Sequence, residues 1–174
     1  MDLVWHERRF EELTATELYS IVELRERVFV VEQNCVYLDA DGADRMSRHV
    51  WATRGPRTND RSPVRSEARI GDSLVRGSPF SEGPTVAYLR IVAPGVKFPE
   101  TSIGRVAIAP EARGEGLGRE LMRRGIAAVG NLPIRISAQA YLEKFYADLG
   151  FVRTSETYDE DGIPHLEMLR TSQT

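Results

Sequence analysis

At 174 residues and a net charge of −3, the chain suits one domain with a real core and carries no global pull toward nucleic acid or a membrane surface. Hydrophobic content of 41% and charged content of 28% are ordinary for a soluble globular protein. Cys35 is the only cysteine, which excludes an internal disulfide; with no spanning apolar run and no signal-peptide pattern, a cytoplasmic protein is expected.

Leu3 to Arg9 alternates loosely and predicts a first strand. Thr14-Ala15-Thr16-Glu17 reads as a capping box, so a helix is expected from about Ala15 to Val30. Its inner face carries Leu18, Ile21, Val22, Val28 and Phe29, and also Arg25, whose head must either escape to solvent or meet a charge. Glu32 to Arg48 is polar and turn-rich and reads as a loop, and Arg48 to Thr53 as a strand. Gly55 to Pro84 is rich in Gly, Pro, Ser and Arg and predicts a flexible insertion between two strands of a hairpin. Its arginines are diluted by Asp60, Glu67 and Asp72 and lack aromatic interleaving, which argues against a nucleic-acid surface. Thr85 to Val92 is the next strand, closed by Pro94-Gly95.

The centre of the chain is Ile103 to Val129. A buried strand, Ile103 to Ala109, passes through Pro110-Glu111-Ala112 into Arg113-Gly114-Glu115-Gly116-Leu117-Gly118 and then a helix. In that helix Leu117, Leu121, Met122, Gly125, Ala128 and Val129 share one face, opposite Arg119, Glu120, Arg123 and Arg124. A glycine-rich entry to a helix N-terminus offers free N–H groups, the positive end of the dipole and close backbone approach, all suited to phosphate. Arg113 adds a cation there. No Gly-Lys-Ser/Thr ending makes this a P-loop, and the G-x-G-x-G spacing is not the dinucleotide fingerprint G-x-G-x-x-G.

Beyond it, Ile134 to Ala138 predicts a strand and Tyr141 to Leu149 a short helix with Leu142, Phe145, Tyr146 and Leu149 inward. Gly150 ends it, with Phe151 packing just after. Phe151 to Tyr158 and Pro164 to Leu169 form a closing hairpin around Asp159-Glu160-Asp161-Gly162.

Arg113, Gly116 and Gly118 resemble the R/Q-x-x-G-x-G/A signature of the GNAT acetyltransferase superfamily. Phe145-Tyr146 with Leu149-Gly150-Phe151 is similar to that family's late motif. Glu32-Gln33-Asn34-Cys35, Asp39-Ala40-Asp41-Gly42, Arg48-His49 and Glu160-Asp161-Gly162-Ile163-Pro164-His165 resemble its ElaA-like branch. The resemblance implies an α/β (α+β) GNAT-like fold with a mixed central sheet of about seven strands and flanking helices. It also implies an N-acetyltransferase that moves an acetyl group from acetyl-CoA to a small cationic or polypeptide amine in a ternary complex, without a metal. A non-catalytic acyl-CoA-binding module is the alternative. Expected partners are an amine substrate and at most a second copy of the chain, with no nucleic acid and no membrane.

By the same resemblance Arg113, Gly114, Glu115, Gly116, Leu117, Gly118 and Arg119 hold the pyrophosphate. Val106, Ala107 and Ile108 offer backbone groups to the pantetheine arm on a strand that splays from its neighbour. Gln139, where many relatives carry Asn, and Tyr146 are further CoA contacts. Tyr146 is the candidate acid for the leaving thiolate; an aromatic on an apolar helix face otherwise belongs to the core. The base that strips the ammonium is sought among His49, His165 and Glu32, each of which has a purely structural alternative. Glu32 could instead pair with Arg25. Cys35 reads as an inert loop thiol. Asp39, Asp41 and Asp44 in one loop and Asp159, Glu160 and Asp161 in another are expected to flank the acceptor entrance and favour a cation, although Asp also belongs in turns.

Overall fold

The computed structural model describes residues 3–55, 68–70, 73–75 and 83–172. The capping box forms: the Glu17 N–H donates to Thr14 Oγ1 at 3.2 Å and the Thr14 N–H to Glu17 Oε2 at 2.8 Å, opening α1 at Ala15–Arg25. α1 ends earlier than the expected Val30, because Glu26–Glu32 continues it as a π-helical segment.

The strands are β1 (Leu3–Arg9), β2 (Ser47–Arg54), β3 (Ala68–Ile70), β4 (Ser73–Val75), β5 (Thr85–Val92), β6 (Thr101–Ile108), β7 (Ile134–Gln139), β8 (Val152–Arg153), β9 (Tyr158–Glu160) and β10 (Ile163–Arg170). Eight of them build one mixed sheet, ordered β1-β2-β5-β6-β7-β10-β8 with β9 also on β10. β3 and β4 pair with each other alone. The Arg54 N–H donates to Pro84 O at 3.1 Å, so the 55–84 segment leaves and rejoins the sheet at adjacent strands. Apart from its ends and the β3–β4 pair, that expected insertion lies outside the described residues.

Helix α2 (Leu117–Val129) covers one face of the sheet with Leu117, Leu121, Met122, Gly125 and Val129, as its periodicity predicts. α1 packs against β5 and β6 as well, and Ile21, Leu24 and Val28 join the buried core. The short helix α3 (Glu143–Ala147) closes with Gly150 at φ 87°; the Gly150 N–H donates to Ala147 O and the Phe151 N–H to Tyr146 O, and Phe151 is buried. The last hairpin is tighter than expected. Asp161 and Gly162 both have positive φ (55° and 79°), so the turn is only those two residues, joining β9 to β10.

β6 and β7 are the one parallel pair of the large sheet, and they are bonded only where Thr101 and Ser102 meet Ile134 and Arg135. Beyond that point they part. On its other side β6 carries a bulge, since Arg105 and Val106 together oppose Leu89 of β5. Arg105 there has φ 53°, a left-handed conformation that costs a non-glycine residue about 1 kcal/mol or more.

A buried charge network holds this region. Arg25 donates to Asp39 Oδ2 (2.7 Å), Asp39 O (2.8 Å) and Asp44 Oδ1 (2.9 Å). Arg90 grips Asp41 with two nitrogens, each at 2.7 Å, and also reaches Asp44 Oδ1 at 2.8 Å. Arg105 Nε lies 2.7 Å from Asp39 Oδ1. Arg25 therefore meets charge; its head does not escape. Burial alone would raise the Asp44 carboxyl, but Arg25 and Arg90 together hold it below the usual carboxylate range.

Asp44→Asn should leave two buried guanidinium groups under-compensated and destabilise the fold by about 3–5 kcal/mol. A carboxyl whose pKa is depressed by folding adds stability above its unfolded pKa of about 4, lost as pH falls below it. Wild-type melting temperature should therefore decline below about pH 4, and the variant should decline less steeply from its lower starting point. A variant melting within a degree of wild type at neutral pH would show that the network contributes little.

Candidate active site

Where β6 and β7 diverge, a cleft of ≈ 390 Å³ opens between them. β6 from Ser102 to Val106 and β7 from Ile136 to Gln139 form its floor. One wall is the loop carrying Gln33, Cys35, Tyr37 and Leu38; the other is the β9–β10 turn with Glu160, Asp161, Ile163 and His165. Leu142 and Tyr146 stand at one end, Lys97 and Phe98 at the other. The facing edges of β6 and β7 beyond Ser102 and Arg135 make no ladder with each other, which leaves main-chain groups of Val106, Ala107 and Ile108 without a β7 partner.

Just past β6 lies the glycine-rich turn. Gly114 (φ 79°) and Gly116 (φ 76°) both take the left-handed conformation, and a Cβ built on either would meet nothing within 4 Å. Gly116 caps α2 without any side-chain hydrogen bond, so the N–H groups of Leu117 and Gly118 have no acceptor among the described residues. A Cβ built on Gly118 would lie 3.8 Å from the Ile108 and Phe145 side chains, in ordinary contact. An open, positively polarised cradle of N–H groups thus sits beside the free strand edges, a fit for a pyrophosphate leading into an extended arm.

Arg113, at the head of this turn, is engaged within the protein. Its nitrogens reach Glu32 Oε1 at 2.6 Å and Oε2 at 2.8 Å, with Nε donating to Ile108 O at 3.3 Å. The guanidinium is a strap between the turn and the end of the π-helical segment. Arg119 likewise lies 3.4 Å from Asp148, and Glu115 accepts from Arg54 at 3.0 Å. Glu32, a candidate base, lies outside the cleft, its proton affinity lowered mainly by the hydrogen bond from Arg113. Its partner is Arg113, and Arg25 is held elsewhere.

The two candidate histidines separate. His49 is fully buried and does not line the cleft. Its Nε2 lies 3.1 Å from Asp44 O, which can only accept, so Nδ1 accepts from the Tyr88 hydroxyl at 2.8 Å. Burial pushes its pKa down. The structure therefore does not bring His49 together with the cleft residues, and both its ring nitrogens are engaged inside the protein. His165 lies in the cleft wall, stacked on Tyr158. Its Nδ1 donates to Ile163 O at 2.8 Å, so the tautomer this bond selects in the neutral ring has its lone pair on Nε2.

Tyr146 is 6% exposed and lines the cleft, wedged edge-on between Phe145 and Phe151. Its hydroxyl has no hydrogen-bond partner among the described residues, and burial pushes its pKa up. Gln139 lines the same cleft, donating to Gln33 at 3.1 Å and accepting from Tyr141 at 2.6 Å. Cys35 is buried in the wall, its thiol raised by burial and by Asp161.

The first expected acidic segment is not a free rim, because Asp39, Asp41 and Asp44 are neutralised by Arg25, Arg90 and Arg105. In the second, Glu160 and Asp161 line the cleft without ion pairs among the described residues, and Glu160 accepts only from Ser137. Sequence reasoning missed Arg90, Arg105 and Lys97 as cleft residues; an arginine inside the buried run Thr85–Val92 was the available signal for Arg90.

A family model for the GNAT acetyltransferase domain matches residues 80–172. Escherichia coli protein ElaA is 34% identical over 172 residues, covering 95% of each chain, and a UPF0039 protein of Synechocystis is 35% identical over 173 residues, covering 97% of this chain and 96% of that one. The crystal structure of an acyl-CoA N-acyltransferase from Pseudomonas aeruginosa superposes with a TM-score of 0.79 at 36% identity, covering 98% of this chain and 100% of that one. That of E. coli ElaA gives 0.76 at 32% identity, covering 97% and 99%. The free strand edges, the glycine-rich turn and the cleft between them therefore belong to an N-acetyltransferase of the GNAT family, on its ElaA-like branch.

Proposed function

We propose that the protein moves an acetyl group from acetyl-CoA to a primary amine by direct attack within a ternary complex. The observation that carries this reading is the cleft that joins the unpaired edges of β6 and β7 to Tyr146 at one end and His165 on one wall. Backbone N–H groups at Gly116 to Gly118 suit the pyrophosphate, and the β6 edge at Val106 to Ile108 suits the pantetheine arm and the thioester oxygen. An acceptor amine arrives protonated, since its reference pKa is about 10. His165 Nε2, lone pair outward, takes its proton; the amine nitrogen then bonds to the thioester carbon and the carbon–sulfur bond breaks. Tyr146, kept protonated by a pKa that burial raises, gives its hydroxyl proton to the leaving sulfur, and the second proton of the attacking nitrogen, released as the amide forms, restores the Tyr146 hydroxyl.

Release of free thiol from acetyl-CoA across a panel of amines tests the reading, and a protein that binds acetyl-CoA but releases no thiol with any of them would be the non-catalytic module. Gly116→Glu should remove donor binding, because it combines a left-handed conformation with a carboxylate in the cradle. Acetyl-CoA at about a hundred times its Kd should raise the wild-type melting temperature by about 5–10 °C and leave the variant unmoved. Equal rises in both would misplace the site.

Tyr146→Phe should lower kcat about a hundredfold, or roughly 2.7 kcal/mol, with donor affinity retained. The loss should shrink with a donor whose thiol is more acidic. Turnover within twofold of wild type would return Tyr146 to a purely packing role.

His165→Gln should also lower turnover about a hundredfold at neutral pH. The deficit should narrow as pH rises toward about 10, where the amine deprotonates without help. A deficit constant across that range would mean that another group, or water, is the base.

A further inference from the structure

The cleft runs lengthwise along β6, and its charges are unevenly compensated. Val106 and Tyr146 lie where β6 and β7 stand apart; Lys97, Phe98 and Ser102 lie where the two strands are still paired. Ser102 and Val106 are four strand positions apart, about 13 Å. Between them Arg90 and Arg105 contribute little free charge, because Asp39, Asp41 and Asp44 hold them.

Three charged side chains of the cleft have no ion-pair partner among the described residues: Glu160, Asp161 and Lys97. Glu160 is fixed near the middle of β7 by its 2.9 Å bond from Ser137. Asp161 sits at the turn tip, close enough to Cys35 to raise that thiol. Lys97 stands at the far end, its Nζ 5.7 Å from the Phe98 ring centroid. It is one of only two lysines in a chain otherwise supplied with arginine, and the other, Lys144, is bonded to Asp148.

We propose that the acceptor is a primary amine that also carries a carboxylate, about 8–12 Å from the nitrogen, and that Lys97 reads that carboxylate. The proposal rests on the acetyltransferase reading above. Glu160 and Asp161 draw the ammonium toward His165, while Lys97 binds the opposite end. A two-point hold aligns the nitrogen with the thioester, which a single charge cannot do. One compact ammonium matches a monovalent carboxylate; a phosphate dianion would call for an arginine fork or several cations. A diamine would meet like charge at Lys97.

The test compares γ-aminobutyrate, ε-aminocaproate and ω-aminocaprylate with hexylamine and hexane-diamine, by thiol release at low ionic strength. One of the two longer amino acids should exceed hexylamine in kcat/KM by about tenfold, equivalent to about 1.4 kcal/mol, with the diamine lowest. Lys97→Gln should bring that ratio to about one, and Lys97→Glu should invert it in favour of the diamine. Hexylamine or the diamine used as well as every amino acid, or a preference that survives Lys97→Gln, overturns the assignment. Calorimetric titration of ω-aminocaprylate into the CoA-bound protein reads the same site without turnover. Lys97-dependent binding there, with no thiol released from any amine, would keep the acceptor assignment and refute the transfer reading. Thiol release from plain amines with no dependence on Lys97 would do the reverse.

Discussion

Everything at the active site depends on two strands failing to pair. β6 and β7 start as a parallel ladder at Thr101–Ser102 and Ile134–Arg135, and had it continued, the cleft would be closed and the β6 edge consumed. Main-chain groups left without partners are unfavourable unless water or a ligand meets them, so the parting must be imposed from outside the two strands. The bulge at Arg105 and Val106 turns β6 away from regular pleating on its other side. Arg105 tolerates its left-handed backbone because its side chain is tied to Asp39 and lies over the rings of Phe29 and Tyr37, at 5.9 and 5.2 Å. Strain at one residue is offset by contacts at its far end.

Those contacts in turn require the loop between the π-helical segment and β2 to be rigid. Three aspartates and three arginines, drawn from that loop and from α1, β5 and β6, make it so. Buried pairs of this kind add less net stability than their short distances suggest, since every member loses water. What they supply is geometry: each carboxylate meets guanidinium groups on two different elements, which ties the loop to α1, β5 and β6 together. The same neutralisation removes the field that three acidic residues would otherwise place at the entrance. The charges left free in the cleft are then few.

Much of this was legible in the sequence because the signals are local. The Thr14 and Glu17 cap, the apolar stripe of α2, the Gly150 stop and a turn within Asp159 to Gly162 each need only neighbours within a few residues. The roles of charged and titratable residues were not, because their partners are far away in the chain. His49 and His165 look equally eligible as bases until Tyr88 and the Asp44 carbonyl bury one and the Ile163 carbonyl orients the other. Glu32 was weighed against Arg25, seven positions back, while its true partner, Arg113, is 81 residues on. The acidic loop read as a rim for the same reason.

The Glu32–Arg113 strap also bears on what the glycine-rich turn can offer a ligand. A guanidinium held by two carboxylate oxygens and the Ile108 carbonyl has little charge left for a ligand. A phosphate at this turn would therefore meet chiefly backbone N–H groups and the dipole of α2, a recognition that depends on glycine conformation more than on side-chain charge. The strap has a second end. Glu32 is followed directly by Gln33, which holds Gln139, and by Cys35, Tyr37 and Leu38, which wall the cleft. One salt bridge thus links the glycine-rich turn to the segment that walls the cleft; on the acetyltransferase reading proposed above, it would help set the distance between the donor's and the acceptor's surfaces.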